Sequence, residues 1–282
     1  MLVLSAFPIV AVRADGTLLR GLDVPATVPS GHNARPALYW PIGVAFDGNN
    51  LWYSQPCQCT SDIFETTTTG QLLRTLTEVS NAGGLAWDGS HLWVGSFPTN
   101  AVTCTSGNTG CAYLTEVDVT TGNPIRTVDL SDIFAQDQEC GLISGLNYDS
   151  FTGTFWVTPN PGCLNGIVPD VCAAGFVYHV DANGNLVNRL QLSFGAFSVA
   201  KVGSYLYAST CQNAPPRSIY KTTLSGTVVS GFPTVSVSGQ HENAEDVTFD
   251  SVTFAPSCAV WVIQYYGFPF DASIAAYQIA CP

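Results

Sequence analysis

The segment Gln240-His241-Glu242-Asn243-Ala244-Glu245-Asp246 is the one stretch of this sequence in which a histidine and three carboxylates crowd together. Here His241 could serve as a general base or metal ligand and Glu245 could orient it, while Glu242, Asn243 and Asp246 could offer oxygens to a divalent cation. Three other loops hold residues able to join such a site: His32 with Asn33, Glu78 with Asn81, and Asp137 with Glu139. Their convergence would make a Ca²⁺ site or a hydrolytic centre. The plainer reading of the cluster is a solvated acidic loop, and the sequence favours it, because one cluster without converging partners is thin support for chemistry. His91 and His179 fall in a turn and a strand and read as structural. No Gly-x-Ser-x-Gly elbow, phosphate loop or His-Glu-x-x-His motif occurs.

The elements that must position these residues are visible as a repeat. Gly43-Val-Ala-Phe-Asp47-Gly-Asn-Asn-Leu-Trp52 recurs as Gly84-Leu-Ala-Trp-Asp88-Gly-Ser-His-Leu-Trp93. Looser copies run from Gly145 to Trp156, from Phe197 to Tyr207 and from Asp246 to Trp261. Each reads as an inner strand pair, A and B, around a tight turn. A second hairpin pattern with an x-Gly turn follows, as at Asn183-Gly184, Thr121-Gly122, Gly70 and Gly226, with a further copy near the start at Asp15-Gly16. These are outer strands C and D. The pattern predicts an all-β ring of five four-stranded blades whose termini share one blade, spanning residues 1–282 as a single domain, and closure removes the sheet edges an open array would expose. Because Ser273 to Ala280 also reads as a C strand, one outer strand is in surplus, and six blades is the alternative.

The Phe-Asp-Gly-x-x-Leu-Trp and Val-Asp-x-x-Thr-Gly patterns resemble the extracellular YVTN, NHL and lactonase-like β-propeller superfamilies along nearly the whole chain. That resemblance implies the fold and leaves function open, since such propellers include lactonases, lyases, cyclotransferases, lectins and scaffolds.

Composition narrows the possibilities. Nine basic against 21 acidic residues give a net charge of −12, which argues against nucleic acid or an anionic membrane as partner. Met1 to Val12 is too short to span a bilayer and lacks the basic start of a signal peptide, so it reads as the start of a mature chain whose leader has been removed. Ten cysteines without zinc spacing read as disulfides and place the protein outside the cell or at its surface. Cys258 precedes strand B of the last blade and Cys281 follows the strand after it, so their pairing is expected with Cα atoms about 4.4–6.8 Å apart. Cys104 with Cys111 and Cys163 with Cys172 would staple single long loops. For Cys57, Cys59, Cys140 and Cys211 three pairings are open, with Cys140–Cys211 preferred and Cys57 and Cys59 either linked to each other or left as an exposed pair available to a neighbouring molecule. Eight of the ten cysteines, all but Cys258 and Cys281, map to the ring face that carries the long loops.

Two functions follow. The first is a non-enzymatic, secreted module without a cofactor, either a binding protein or a structural subunit; if Leu2 to Val12 leaves its own ring it could build a fibre or surface assembly by strand addition, and the plainer reading packs it as an extra outer strand of its own blade. The alternative is a metal-assisted hydrolase or lyase that acts on a small molecule at the central channel, with Ca²⁺ as its cofactor.

Overall fold

The structure is a computed structural model that describes residues 15–24, 41–55, 62–79, 81–97, 112–137, 139, 141–161, 175–210, 218–235, 243–266 and 271–282. It opens with β1 (Leu18–Asp23). Blade I comprises β2 (Val44–Phe46), β3 (Asn50–Gln55), β4 (Asp62–Thr67) and β5 (Leu72–Leu76), and blade II comprises β6 (Ala82–Trp87), β7 (Leu92–Ser96), β8 (Tyr113–Val117) and β9 (Pro124–Asp129). After the short helix α1 (Ser131–Gln136) comes blade III, with β10 (Ile143–Asp149), β11 (Thr154–Pro159), β12 (Phe176–Asp181) and β13 (Leu186–Gln191). Blade IV holds β14 (Ala196–Val202), β15 (Tyr205–Thr210), β16 (Ser218–Thr223) and β17 (Val228–Pro233), and the chain ends in β18 (Asn243–Asp250), β19 (Cys258–Tyr266) and β20 (Asp271–Ile279). Each sheet is an antiparallel A-B-C-D meander, and blade V is ordered β18-β19-β20-β1. Its outermost strand thus comes from the other end of the chain. The inner strands β2, β6, β10, β14 and β18 meet in turn around the axis, and the ring closes with five blades.

The repeated Asp explains why the turns form. In blade I one oxygen of Asp47 accepts the backbone N–H of Asn49 and Asn50 at 2.8 and 2.7 Å, and the other accepts the indole N–H of Trp52 at 2.9 Å. Asp88 with Trp93 and Asp250 with Trp261 repeat the arrangement at 2.8 Å. One carboxylate therefore closes the A–B turn and satisfies the indole that fills the blade interface, where Trp52, Trp93 and Trp261 are fully buried. Blade III departs from this. One oxygen of Asp149 still accepts the turn N–H of Phe151 at 3.1 Å, but the other takes Lys201 and the Thr152 hydroxyl in place of the indole, Trp156 Nε1 has no partner among the described residues, and the indole stacks on His179 at 4.3 Å. The core consists of clusters between neighbouring blades, such as Trp93, Leu146 and Phe155 between blades II and III, where α1 adds Phe134.

The closing blade differs in detail from the sequence expectation. The C slot belongs to β20, which pairs with β19 along its full length from Cys258↔Ile279 to Tyr266↔Asp271, and only β1 is drawn from the N-terminal region. A local antiparallel partner fills the slot, and residues 1–14 lie outside the described residues. Cys258 and Cys281 are disulfide-bonded with Cα atoms 5.1 Å apart. Cys57, Cys59, Cys104, Cys111, Cys140, Cys163, Cys172 and Cys211 lie outside the described residues.

The bond ties the last strand to its blade and closes a segment with a sequence separation of 23. Replacing both cysteines with Ser should cost about 3 kcal/mol on the chain-entropy account of cross-links. Thermal unfolding and carboxypeptidase digestion check this, and parental melting with parental resistance would show that other contacts hold β20.

Candidate functional site

The inner strands reach the axis through β-bulges. In β18 the register shifts between Ala244 and Val247, so Glu245 and Asp246 together oppose Ile263, and β6, β10 and β14 carry similar shifts at the same height. A bulge re-aims one side chain. The residues four before the turn position are Gly43, Gly84, Gly145, Ser198 and Asp246, one from each blade. Backbones crowd here: a Cβ on Gly43 would lie 2.2 Å from the Gly83 carbonyl oxygen, and one on Gly145 would lie 2.4 Å from Ser198 Cα. Only glycine tolerates such an approach. Blade V instead supplies a carboxylate, and it fills the axis.

Asp246 is fully buried. Its Oδ2 accepts the backbone N–H of Val44 at 2.9 Å and of Leu85 at 3.1 Å, and its Oδ1 accepts the N–H of Val247 at 2.9 Å and the Ser198 hydroxyl. One side chain thus ties the inner strands of blades I, II, IV and V. Burial pushes its pKa up to about 7, against the pull of these donors. The donor set is the reverse of what Ca²⁺ needs, since that ion gathers six to eight oxygens and here N–H and O–H groups converge on the carboxylate. The residues described at the axis do not fit the ion.

Glu245, next along the bulge, is also buried. Burial pushes its pKa up to about 8, opposed by a hydrogen bond from Tyr265 and reinforced by Asp246. Its Oε2 has no hydrogen-bond partner among the described residues. Ser209 fixes the backbone at this point by donating to the Glu245 carbonyl. His241, Glu242, the Asn243 side chain and His32 lie outside the described residues.

Glu139 does not join the axis. It lies against the third strand of blade III, where its Oε1 accepts the Phe176 N–H at 3.5 Å, and burial raises its pKa to about 7. Beside it Asp137 accepts the Tyr178 hydroxyl at 2.9 Å and pairs with Arg189. Asn81 stands at the start of blade II in the left-handed region, with φ 55°, and its carbonyl accepts the Phe97 N–H at 2.6 Å.

Two groupings escaped sequence reasoning. On the turn face, His91 Nδ1 lies 3.0 Å from Glu116 Oε1 and 3.9 Å from Asp88 Oδ2. Both carboxylates have other partners, Arg126 at 2.5 Å and the Trp93 indole. Glu116 arrives by pairing with Trp93 across strands, a link that the separation from residue 91 to 116 hides. The second grouping is a funnel of about 830 Å³ ringed by the A–B turns. Its wall includes Phe46, Trp87, Tyr148, Lys201 and Phe249, each at or one before the end of its A strand. The signal was present in each repeat, but the convergence depends on ring closure.

No family model matches the sequence, and no curated protein matches it. Among solved structures, the glutaminyl cyclase of Myxococcus xanthus superposes with a TM-score of 0.56 at 13% identity, over 93% of this chain and 96% of that one. A tail fibre of a Staphylococcus aureus phage superposes with a TM-score of 0.52 at 11% identity, over 88% of this chain and 51% of the fibre chain. At such identities the likeness is one of fold. With the ring of five sheets, it identifies the chain as a five-bladed β-propeller closed by strands from both ends.

Proposed function

We propose that the protein is a secreted, non-enzymatic structural propeller that assembles with copies of itself through its rim. The observation that carries this reading is the state of the outermost strands. Leu72 and Leu73, Ile125, Leu186 and Val187, and Val228 and Val229 are exposed on β5, β9, β13 and β17. Soluble edge strands are usually protected by free charges, above all lysines. Here Arg20, Arg74, Arg126 and Arg189 are drawn inward over the rings of Phe254, Trp52, Trp93 and Phe176, which leaves apolar edges open to strand addition. The apolar sequence from 2 to 12, which lies outside the described residues, is the segment we assign to that addition. The Cys258–Cys281 bond supports an extracellular location. The phage tail fibre is a precedent at the level of fold only.

A net charge of −12 opposes contact between copies, so association should strengthen with salt as that repulsion is screened. Sedimentation velocity and electron microscopy over a concentration series test the proposal. The expected result is growth of assemblies with concentration and salt, lost when Leu72, Ile125, Val187 and Val229 are changed to Lys. Monodisperse rings at every concentration and salt would overturn it.

A second reading, a hydrolase or lyase acting above the axis, draws on Glu245. A buried carboxyl that keeps its proton near neutral pH is in the state a general acid requires, and one structure of this fold is a glutaminyl cyclase. Turnover lost in Glu245→Gln with the fold intact would favour it.

A further inference from the structure

The funnel on the turn face has the chemistry of a ligand site independent of the rim. Three features define what it could take. The first is its wall: Phe46, Trp87, Tyr148 and Phe249, at or one before the ends of their A strands and all half-buried, turn apolar ring surface to an open cavity. The second is the state of its charges. Asp47 and Asp88 are committed to turn amides and indoles, and Asp149 to Lys201 Nζ at 3.0 Å and to the Thr152 hydroxyl at 2.7 Å. The oxygens of all three carboxylates are therefore already engaged by protein donors, and Asp149 alone is paired with a cation. The third is what remains: neither the indole N–H of Trp87 nor the Tyr148 hydroxyl has a hydrogen-bond partner among the described residues.

An organic cation would meet the Lys201 ammonium and would have to compete with the amide and indole donors that already hold the oxygens of Asp47 and Asp88. An anion would have to approach a protein of net charge −12 and compete with Asp149 for the lysine. What suits apolar ring faces together with unpaired N–H and O–H groups is a neutral molecule with apolar faces and oxygen-rich edges. A volume of about 830 Å³ is ample for one to three sugar rings. We propose that the turn-face funnel binds a neutral saccharide, with a sugar face on Trp87 and ring hydroxyls bonded to the indole N–H of Trp87 and the hydroxyl of Tyr148.

Saturation-transfer NMR on the full chain tests this, with glucose, mannose, galactose and N-acetylglucosamine and their β-linked trisaccharides at millimolar concentration, and tetramethylammonium as the cation probe. At least one sugar should receive saturation at its ring protons, and Trp87→Ala should weaken its binding about tenfold, the equivalent of about 1.4 kcal/mol. Tyr148→Phe removes a single oxygen and should weaken binding severalfold, which keeps the test open if Trp87→Ala fails to fold. Three results would overturn the inference: no transfer to any sugar, transfer unchanged in the folded variants, or transfer to tetramethylammonium alone. New anomeric signals in the same samples would count against a non-enzymatic protein and leave the site in place, and failure of the rim to self-associate would not bear on it.

Discussion

Asp246→Ala should lower the unfolding free energy by about 4 kcal/mol, among the largest effects open to a single substitution. The variant would leave the N–H groups of Val44, Leu85 and Val247 and the Ser198 hydroxyl facing an empty axis. A buried donor stripped of its acceptor costs about 1–3 kcal/mol, less per group when several share one cavity that water can enter. Asp246→Asn would keep the shape but turn an amide NH₂ onto one set of donors, so it should recover only part of the loss. Urea unfolding checks both variants. A loss below about 1 kcal/mol for Ala would mean that the glycine girdle closes the ring without the carboxylate.

Acidification should stabilise the protein by about 3 kcal/mol or more between about pH 8 and pH 5, the worth of one carboxyl shifted by two units or more. Glu139, Glu245 and Asp246 are buried carboxyls whose folded-state values, about 7, 8 and 7, lie above the ordinary values of 4.5, 4.5 and 3.8. Desolvation is the largest cause in each case. Between the ordinary and folded values the native state holds protons that the unfolded chain has released, so stability falls as pH rises through that window and is fully present below it. Calorimetry across pH should show the melting temperature climbing as pH drops from 8 towards 5. Glu245→Gln should flatten part of the slope, because the amide cannot ionise. A melting temperature that rises from pH 5 to 8 would mean that these carboxyls sit in far more polar surroundings than their burial indicates.

Much of the fold is legible in the sequence because the blade motif is local. Asp47, Gly48 and Trp52 lie within one hairpin, and the chemistry that links them, a carboxylate serving both turn amides and an indole, acts over five residues. The Cys258–Cys281 bond is legible for the same reason, since antiparallel neighbours bring the start of β19 to the end of β20. The role of Asp246 is half legible. Aligning the repeats sets it where blades I to III have Gly43, Gly84 and Gly145, which marks the axis, but nothing local shows that Val44 and Leu85, some 202 and 161 residues away, turn their N–H groups towards it. Glu139 illustrates the converse. It falls in a loop of the expected kind, and the chain then carries it outward to β12, where Phe176 holds it away from the axis. The funnel was hidden because Phe46, Trp87, Tyr148 and Phe249 are neighbours only once the ring has closed.

One carboxylate, held by protein donors and not by a cation, pins the inner strands of the propeller at its axis. Urea unfolding of the parent protein and of Asp246→Ala, each in Ca²⁺ and in chelator, tests it most directly. The parent should be equally stable in both solutions, and the loss in Asp246→Ala should be the same with or without Ca²⁺. A parent stabilised by Ca²⁺, with the gain abolished in Asp246→Ala, would contradict it and make Asp246 a metal ligand.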